Sequence, residues 1–359
     1  MDRILATYRI SAAESESRAR AEALAAEQSV EMPVAAIDDP RVLAEVLAKV
    51  EEIRPHAGFF DVVLGIATAT TGGEAGQLVN MLFGNCSLQP EVELLDVEFP
   101  DGYAASFPGP RYGIEGLRRM TGVGQRPLTC TALKPQGSPV EHLAQLARTF
   151  ALAGIDIVKD DHGLANQAYS PFAARVPAVQ RAIAEANRET GGRTLYAPSF
   201  SGGSRALSEQ ARIAKQHAVQ VALVAPMLIG LPAFVELREE HDLALLAHPA
   251  FAGAGRIAPP LLLGKLFRLL GADATIFPNH GGRFSYSLAT CLAIAKAARD
   301  PWQGLRPTMP VPSGGMRVER VPEMIAGFGP DTMLLISGGL QSARGQLLEK
   351  ARDFVASVR

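Results

Sequence analysis

The chain has 359 residues, 47% of them hydrophobic and 20% charged, enough apolar material for more than one packed domain and too little net polarity for a disordered chain. The formal net charge is −2 and the longest basic groupings are dipeptides such as Arg118-Arg119, which argues against a nucleic-acid partner. No apolar run approaches the ~20 residues of a membrane span, so a cytoplasmic protein with no membrane partner is expected.

From the N-terminus, Ile4 to Ile10 reads as a strand and Glu14 to Glu27 as an alanine-rich helix. Pro33 to Ile37 is expected to be a short strand and Arg41 to Ile53 a helix. A strand at Phe59 to Ile66, a helix at Glu74 to Phe83 and a strand at Val92 to Phe99 complete the segment. Two β-α-β passes in a small α+β domain, residues 1–120, predict a split, ferredoxin-like sheet. Phe107 to Arg111, with two prolines and a glycine, serves as connector.

Beyond Pro127 short apolar runs alternate with helical patterns. Eight runs begin at Leu128, Ile155, Leu195, Val219, Leu243, Thr275, Thr308 and Met333. Eight such units predict an α/β protein with a (β/α)8 TIM barrel over residues 121–359, and the spacing disfavours a doubly wound sheet. Ser287 to Arg299 is a barrel-packing helix. Cys86, Cys130 and Cys291 lack the spacing of a zinc or redox site and are expected to be reduced core residues.

In such a barrel the catalytic groups gather at the C-terminal strand ends. There the first run ends in Lys134-Pro135 and the second in Lys159-Asp160-Asp161-His162. The fifth ends in His248-Pro249, the sixth in Asn279-His280-Gly281-Gly282-Arg283, the seventh in Ser313-Gly314-Gly315 and the eighth in Ser337-Gly338-Gly339. A lysine at the barrel mouth is desolvated, which suits it to moving protons; the alternative is a lysine paired with a nearby carboxylate. Lys159, Asp161 and His162 are a compact set of metal-ligand types, with a metal-free ion pair as the alternative. A hard ion such as Mg2+ prefers oxygen, which Asp161 supplies and Lys159 supplies only as a carbamate, whereas His162 suits other divalent metals better. Paired glycine turns on the last two strands, Gly314-Gly315 and Gly338-Gly339, suit a phosphate. Arg283 offers a second anion contact or is a solvated loop charge.

These motifs resemble those of the RuBisCO large subunit and its RuBisCO-like relatives. The resemblance is carried by Leu82-Phe83-Gly84-Asn85, Phe107-Pro108-Gly109-Pro110, Thr131-Ala132-Leu133-Lys134-Pro135, the stretch from Gly154 to Asp161 and the two Ser-Gly-Gly turns, in the family's order. It implies that Lys134 is an acid/base lysine, Lys159 a carbamylated lysine and Asp161 a metal ligand, with His162 where the family has a glutamate. It further implies that Gly315, Gly338 and Gly339, with Ser313 beside them, bind a substrate phosphate, and that His248 contacts substrate. Glu27 and Asn85 would be lent to a neighbouring subunit, making a homodimer the smallest competent unit.

The departures narrow the activity. Pro249 stands where the family has a phosphate-gripping arginine, Gln136 replaces an active-site lysine, and the loop after the sixth strand has no lysine. Carboxylation of ribulose bisphosphate is therefore not expected. What remains is metal-assisted enolisation of a phosphorylated keto-sugar or keto-sugar acid. Isomerisation or tautomerisation is favoured over decarboxylation or C–C hydrolysis, with a non-catalytic phosphosugar-binding protein as the third reading.

Overall fold

The computed structural model describes residues 2–284, 286–342 and 345–359. The chain forms two compact units, one of Met1–Phe107 with Ala252–Leu262 and Pro301–Leu305, the other of Pro108–Phe251, Leu263–Asp300 and Arg306–Arg359.

In the first unit β1 (Arg3–Ile10), a helix (Ser17–Glu27), β2 (Lys49–His56), β3 (Phe59–Ala67), a second helix (Ala75–Phe83) and β4 (Val92–Glu98) follow one another. The sheet order β2-β3-β1-β4, with every pairing antiparallel, is the expected split arrangement. Strict alternation along β1 buries Ile4, Ala6, Tyr8 and Ile10. The Tyr8 hydroxyl donates to the Leu82 carbonyl at 2.6 Å, which ties the strand to the second helix.

Two expected elements differ. Pro33 to Ile37 holds a single 3-10 turn, Val34–Ala36, and no strand. Arg41 to Ile53 is one wide helical turn, Val42–Val46, followed by the start of β2. A bulge between Val50 and Glu52 explains the misreading: Val50 faces Leu64 and Ile53 faces Val62, so positions two apart on β3 are three apart on β2. That spacing mimics a helix, and the charges on this edge strand complete the disguise.

The second unit is the expected barrel. Its strands are β5 (Leu128–Leu133), β6 (Ile157–Asp160), β7 (Leu195–Ala197), β8 (Ser199–Phe200), β9 (Val221–Val224), β10 (Ala244–Ala247), β11 (Ala274–Pro278), β12 (Met309–Ser313) and β13 (Met333–Leu335). Pro198 splits the third barrel strand into β7 and β8. Parallel ladders run from β8 to β12 and from β13 through β5 and β6 to β7.

Between β12 and β13 there is a seam without a ladder among the described residues. The Met309 N–H donates to Asp273 on the β11 side. Alternation therefore turns positions 310 and 312 toward β13, and both are prolines with no N–H to give. Across the seam the Thr332 hydroxyl donates to the Pro310 carbonyl at 3.0 Å.

Every second strand residue packs inward, among them Leu128 and Cys130, Ile157, Leu246, Val311 and Leu335. Ile114 and Leu117, from the helix Gly113–Thr121, join the same cluster. The three cysteines are buried and free, as expected. At the N-terminal end of the strands buried carboxylates tie the backbone together. Asp156 accepts from the Thr129 N–H and hydroxyl at 2.7 and 2.9 Å, and Asp273 accepts from Tyr112, Gly113 and Leu245 N–H groups at 2.6, 2.7 and 2.9 Å.

Removing the second carboxylate strands three backbone donors, two of them fully buried, so Asp273→Ala is expected to lower stability by about 3 kcal/mol. Its urea-unfolding midpoint should fall with an unchanged m-value; a wild-type midpoint would show that these bonds are dispensable.

Candidate active site

The inward alternation of each strand continues one step past the apolar layers. On β5 it runs Leu128, Cys130, Ala132 and reaches Lys134; on β6 it runs Ile157, Lys159 and reaches Asp161; on β10 it reaches His248, on β12 Ser313 and on β13 Ser337. Ala132 pairs with Lys159 and Leu133 with Asp160 in the parallel ladder, so the next pair is Lys134 with Asp161. These two side chains form an ion pair through Nζ and Oδ2.

Lys159 is 4% exposed, and its Nζ donates to the Asp160 carbonyl at 3.1 Å. Burial, with a smaller contribution from the Lys134 charge, pulls its pKa from 10.5 to about 8. Lys134 is lowered as well, by burial first and by the Arg283 charge second.

The His162 Nδ1 lies 3.0 Å from Asp161 Oδ1, and its ring stacks on His248 with centroids 4.2 Å apart and planes 10° from parallel. Burial and then the Lys159 charge lower both imidazoles, His248 well below 6.5. The His248 Nδ1 accepts the Ala250 N–H at 3.1 Å, so the neutral ring carries its proton on Nε2. Lys134, Lys159, Asp161, His162 and His248 thus meet at the C-terminal end of the barrel.

Asp160, between two inward residues, points outward. It is fully buried and bound by Arg175 Nε at 3.1 Å, the Tyr196 hydroxyl at 2.8 Å and the Ser199 N–H at 3.0 Å. Arg175 also donates to the carbonyls of Ser170 and Ala165, tying down the loop that follows His162. Sequence reading missed Arg175, although its place between Phe172 and Val176 on the buried face of the helix Phe172–Thr190 was a usable signal. Gln136, at the position of the missing lysine, donates through Nε2 to the Gly163 carbonyl at 3.0 Å and links the loops after β5 and β6.

The glycine turns are built from close backbone contact. Gly314 and Gly315 have φ of 85° and 91°, and the Arg283 N–H donates to the Gly314 carbonyl at 3.1 Å. A Cβ on Gly282 would lie 1.9 Å from that carbonyl oxygen, so only glycine fits. Gly338 and Gly339 open the short helix Gly338–Gln341. Among the described residues the N–H groups of Gly314, Gly315, Gly338 and Gly339 make no hydrogen bond. The Ser313 hydroxyl, in contrast, donates to the Phe277 carbonyl at 3.1 Å. His280 is engaged by Glu323, 2.9 Å from its Nε2, and by Arg320, which makes it a loop-holding residue.

Glu27 and Asn85 belong to the first unit, where the structure joins them: Asn85 Nδ2 donates to Glu27 Oε1 at 2.9 Å. Glu31 Oε1 lies 3.3 Å from the same nitrogen. Glu31 was not anticipated, and its left-handed backbone, φ 53°, is invisible in sequence.

Among the described residues no group of three or more His, Cys, Asp or Glu is placed to hold a metal ion. Asp161 Oδ1 and His162 Nδ1 are two donors of metal-ligand type, paired with each other at 3.0 Å, and the same oxygen accepts the Gly163 N–H at 3.1 Å. With Lys159 a free amine the donor set is incomplete for a divalent cation; an oxygen carried by Lys159 would complete it.

A sequence profile of the ribulose bisphosphate carboxylase large chain, catalytic domain, matches residues 113–281. The chain is 55% identical to a 5-methylthioribulose-1-phosphate isomerase of Rhodospirillum rubrum, over 99% of this chain and 96% of that protein. It is 36% identical to a 2,3-diketo-5-methylthiopentyl-1-phosphate enolase of Geobacillus kaustophilus, over 83% and 74%. A RuBisCO-like protein structure from Rhodopseudomonas palustris superposes with a TM-score of 0.94 at 48% identity, covering 100% of this chain and 98% of that one. Fold and site together define a protein of RuBisCO large-chain type. More narrowly, the chain belongs to the RuBisCO-like protein family.

Two outcomes are expected. Arg175→Met leaves the Asp160 carboxylate buried without its cation and should cost about 3–5 kcal/mol, read as a lowered melting temperature. Lys159 is costly to bury while charged. Below about pH 8 both folded and unfolded chains hold its proton and the cost is complete; between about 8 and 10.5 only the unfolded chain holds it, and stability rises with pH. In CO2-free buffer Lys159→Met should be the more stable protein at pH 7, by on the order of 3 kcal/mol, with the gap closing toward pH 10.5. A gap independent of pH contradicts the buried-charge account.

Proposed function

We propose that this protein is an isomerase that enolises a keto-pentose carrying one phosphate, with 5-methylthioribulose 1-phosphate as its substrate. The observation that carries the reading is the pairing of Lys134 with Asp161 on adjacent strands, beside the buried, easily deprotonated Lys159 and facing the same barrel mouth. Two relatives named for isomerase and enolase activity on methylthio-pentose phosphates support the substrate class.

The free N–H groups of Gly314, Gly315, Gly338 and Gly339 bind the phosphate. A single phosphate fits, because Pro249 supplies no cation after His248. Lys134 takes the C–H proton from the hydroxyl-bearing carbon beside the carbonyl and the electron pair moves toward the carbonyl oxygen; the hydroxyl proton passes to that oxygen, and the same amine then protonates the former carbonyl carbon as the neighbouring C–O becomes the new carbonyl. Lys134 is suited to both directions because burial lowers its pKa while Asp161 fixes its amine in place. The neutral His248 presents Nε2–H as a donor for a substrate oxygen. Asp161, His162 and a carbamate on Lys159 would hold a divalent cation, Mg2+ or another, which supplies Lewis-acid stabilisation of the enolate oxygen. Glu27 and Asn85 complete the site of a second copy in a homodimer. Among the described residues no helix is long and apolar enough to cross a membrane.

Solvent exchange tests the reading. In D2O with Mg2+ and bicarbonate, the enzyme should wash deuterium into 5-methylthioribulose 1-phosphate and convert it to an isomer. Lys134→Ala should reduce both by about 10³-fold or more. Loss of a carbon fragment instead of isomerisation would move the assignment to C–C cleavage. Absence of exchange with any phosphorylated ketose or keto-acid would leave a binding protein.

A further inference from the structure

We infer that Arg283 is the side-chain cation that grips the substrate phosphate and makes the site selective for a phosphate monoester over its alcohol. The inference rests on the reading of the two glycine turns as a phosphate cradle and adds the charge that the cradle lacks.

The cradle itself offers only neutral N–H groups from Gly314, Gly315, Gly338 and Gly339. Ser313, the one hydroxyl beside the first turn, spends its proton on the Phe277 carbonyl. A dianion held without a neighbouring cation forgoes the stronger, charge-assisted part of its binding. Arg283 stands at the turn. Its N–H is bonded to the Gly314 carbonyl at 3.1 Å, and the backbone of Gly282 and Arg283 meets Gly315 so closely that a Cβ there would lie 3.1 Å from the Arg283 nitrogen and from the Gly282 Cα. The Arg283 loop and the glycine turn therefore move as one piece.

The guanidinium is available. Among the described residues it has no carboxylate partner and no hydrogen bond; its contact is with the face of Phe284, 5.6 Å from the ring centroid. Arg320, on the same rim, is spent on Glu323 and His280. Arg283 is near enough to the mouth for its charge to act on both Lys134 and His162. Its loop is anchored at the other end by Asn279, whose N–H donates to Ser313 at 2.8 Å and whose buried side chain rests on Met316 and Met324. A cation fixed at its backbone beside the glycine turn, free at its tip and near enough for its charge to act on Lys134 is placed to bridge a phosphate.

Titration calorimetry with inorganic phosphate tests this apart from catalysis. Wild-type protein should bind phosphate, and Arg283→Gln should bind it about tenfold more weakly or worse, with Arg283→Lys in between. The side chain is exposed, so both variants should melt like wild type. With substrate, Arg283→Gln should raise KM by a similar factor and change kcat little. Wild-type and Arg283→Gln proteins binding phosphate equally would overturn the role of Arg283 while leaving the cradle intact. Wild-type protein that binds no phosphate would remove the cradle reading on which it rests. A fall in kcat with unchanged phosphate affinity would also overturn it, since the arginine would then serve the reacting carbons.

Discussion

The site depends on the register between β5 and β6. A parallel ladder offers no freedom of half a step: once Ala132 faces Lys159, the next pair on both strands must be Lys134 and Asp161, and both must point inward. A slip of one residue would bring Asp160 into the barrel and send Lys159 and Asp161 into the helical layer. Asp160 itself guards against this slip, because its outward side is met by Arg175, Tyr196 and Ser199, a set that neither a lysine nor an apolar residue could satisfy. The three charged residues in a row are thus sorted by the two-residue period of a strand into two inward and one outward.

Electrostatically the barrel has two different ends. The N-terminal end buries carboxylates, Asp156 and Asp273, against backbone N–H groups that would otherwise lack acceptors. The C-terminal end brings Lys134 and the buried Lys159 to the inward carboxylate Asp161, with the exposed Arg283 near enough to act on Lys134, and burial together with the lysine charges lowers the pKa of the two imidazoles. An excess of positive charge in a desolvated mouth favours an anionic ligand and any negative charge that develops on it. The carboxylates at one end hold the fold together, and at the other, among the described residues, the glycine-turn N–H groups and the Arg283 guanidinium are left without hydrogen-bond partners.

Much of this was legible in the sequence where a period applied. Alternation and strand-end position located Lys134, Lys159, Asp161, His248 and the glycine turns, and the barrel strands begin within two residues of the expected points. The bulge at Val50 to Glu52 broke the period and hid β2. Asp160 was given no role, because the groups that meet its outward side lie on other elements. Arg175 escaped because its meaning lies in a partner fifteen positions earlier on another element. The pairing of Glu31 with Asn85 depends on a left-handed residue that no pattern announces.

The seam between β12 and β13 gives the barrel one joint that its own backbone does not stitch. The two strands that border it are those that end in Ser313-Gly314-Gly315 and Ser337-Gly338-Gly339, so an anion shared by the two turns would act as a clasp across that joint. Occupancy of the two turns would then be linked to the stability of that joint, since a ligand that bridges them favours the closed barrel.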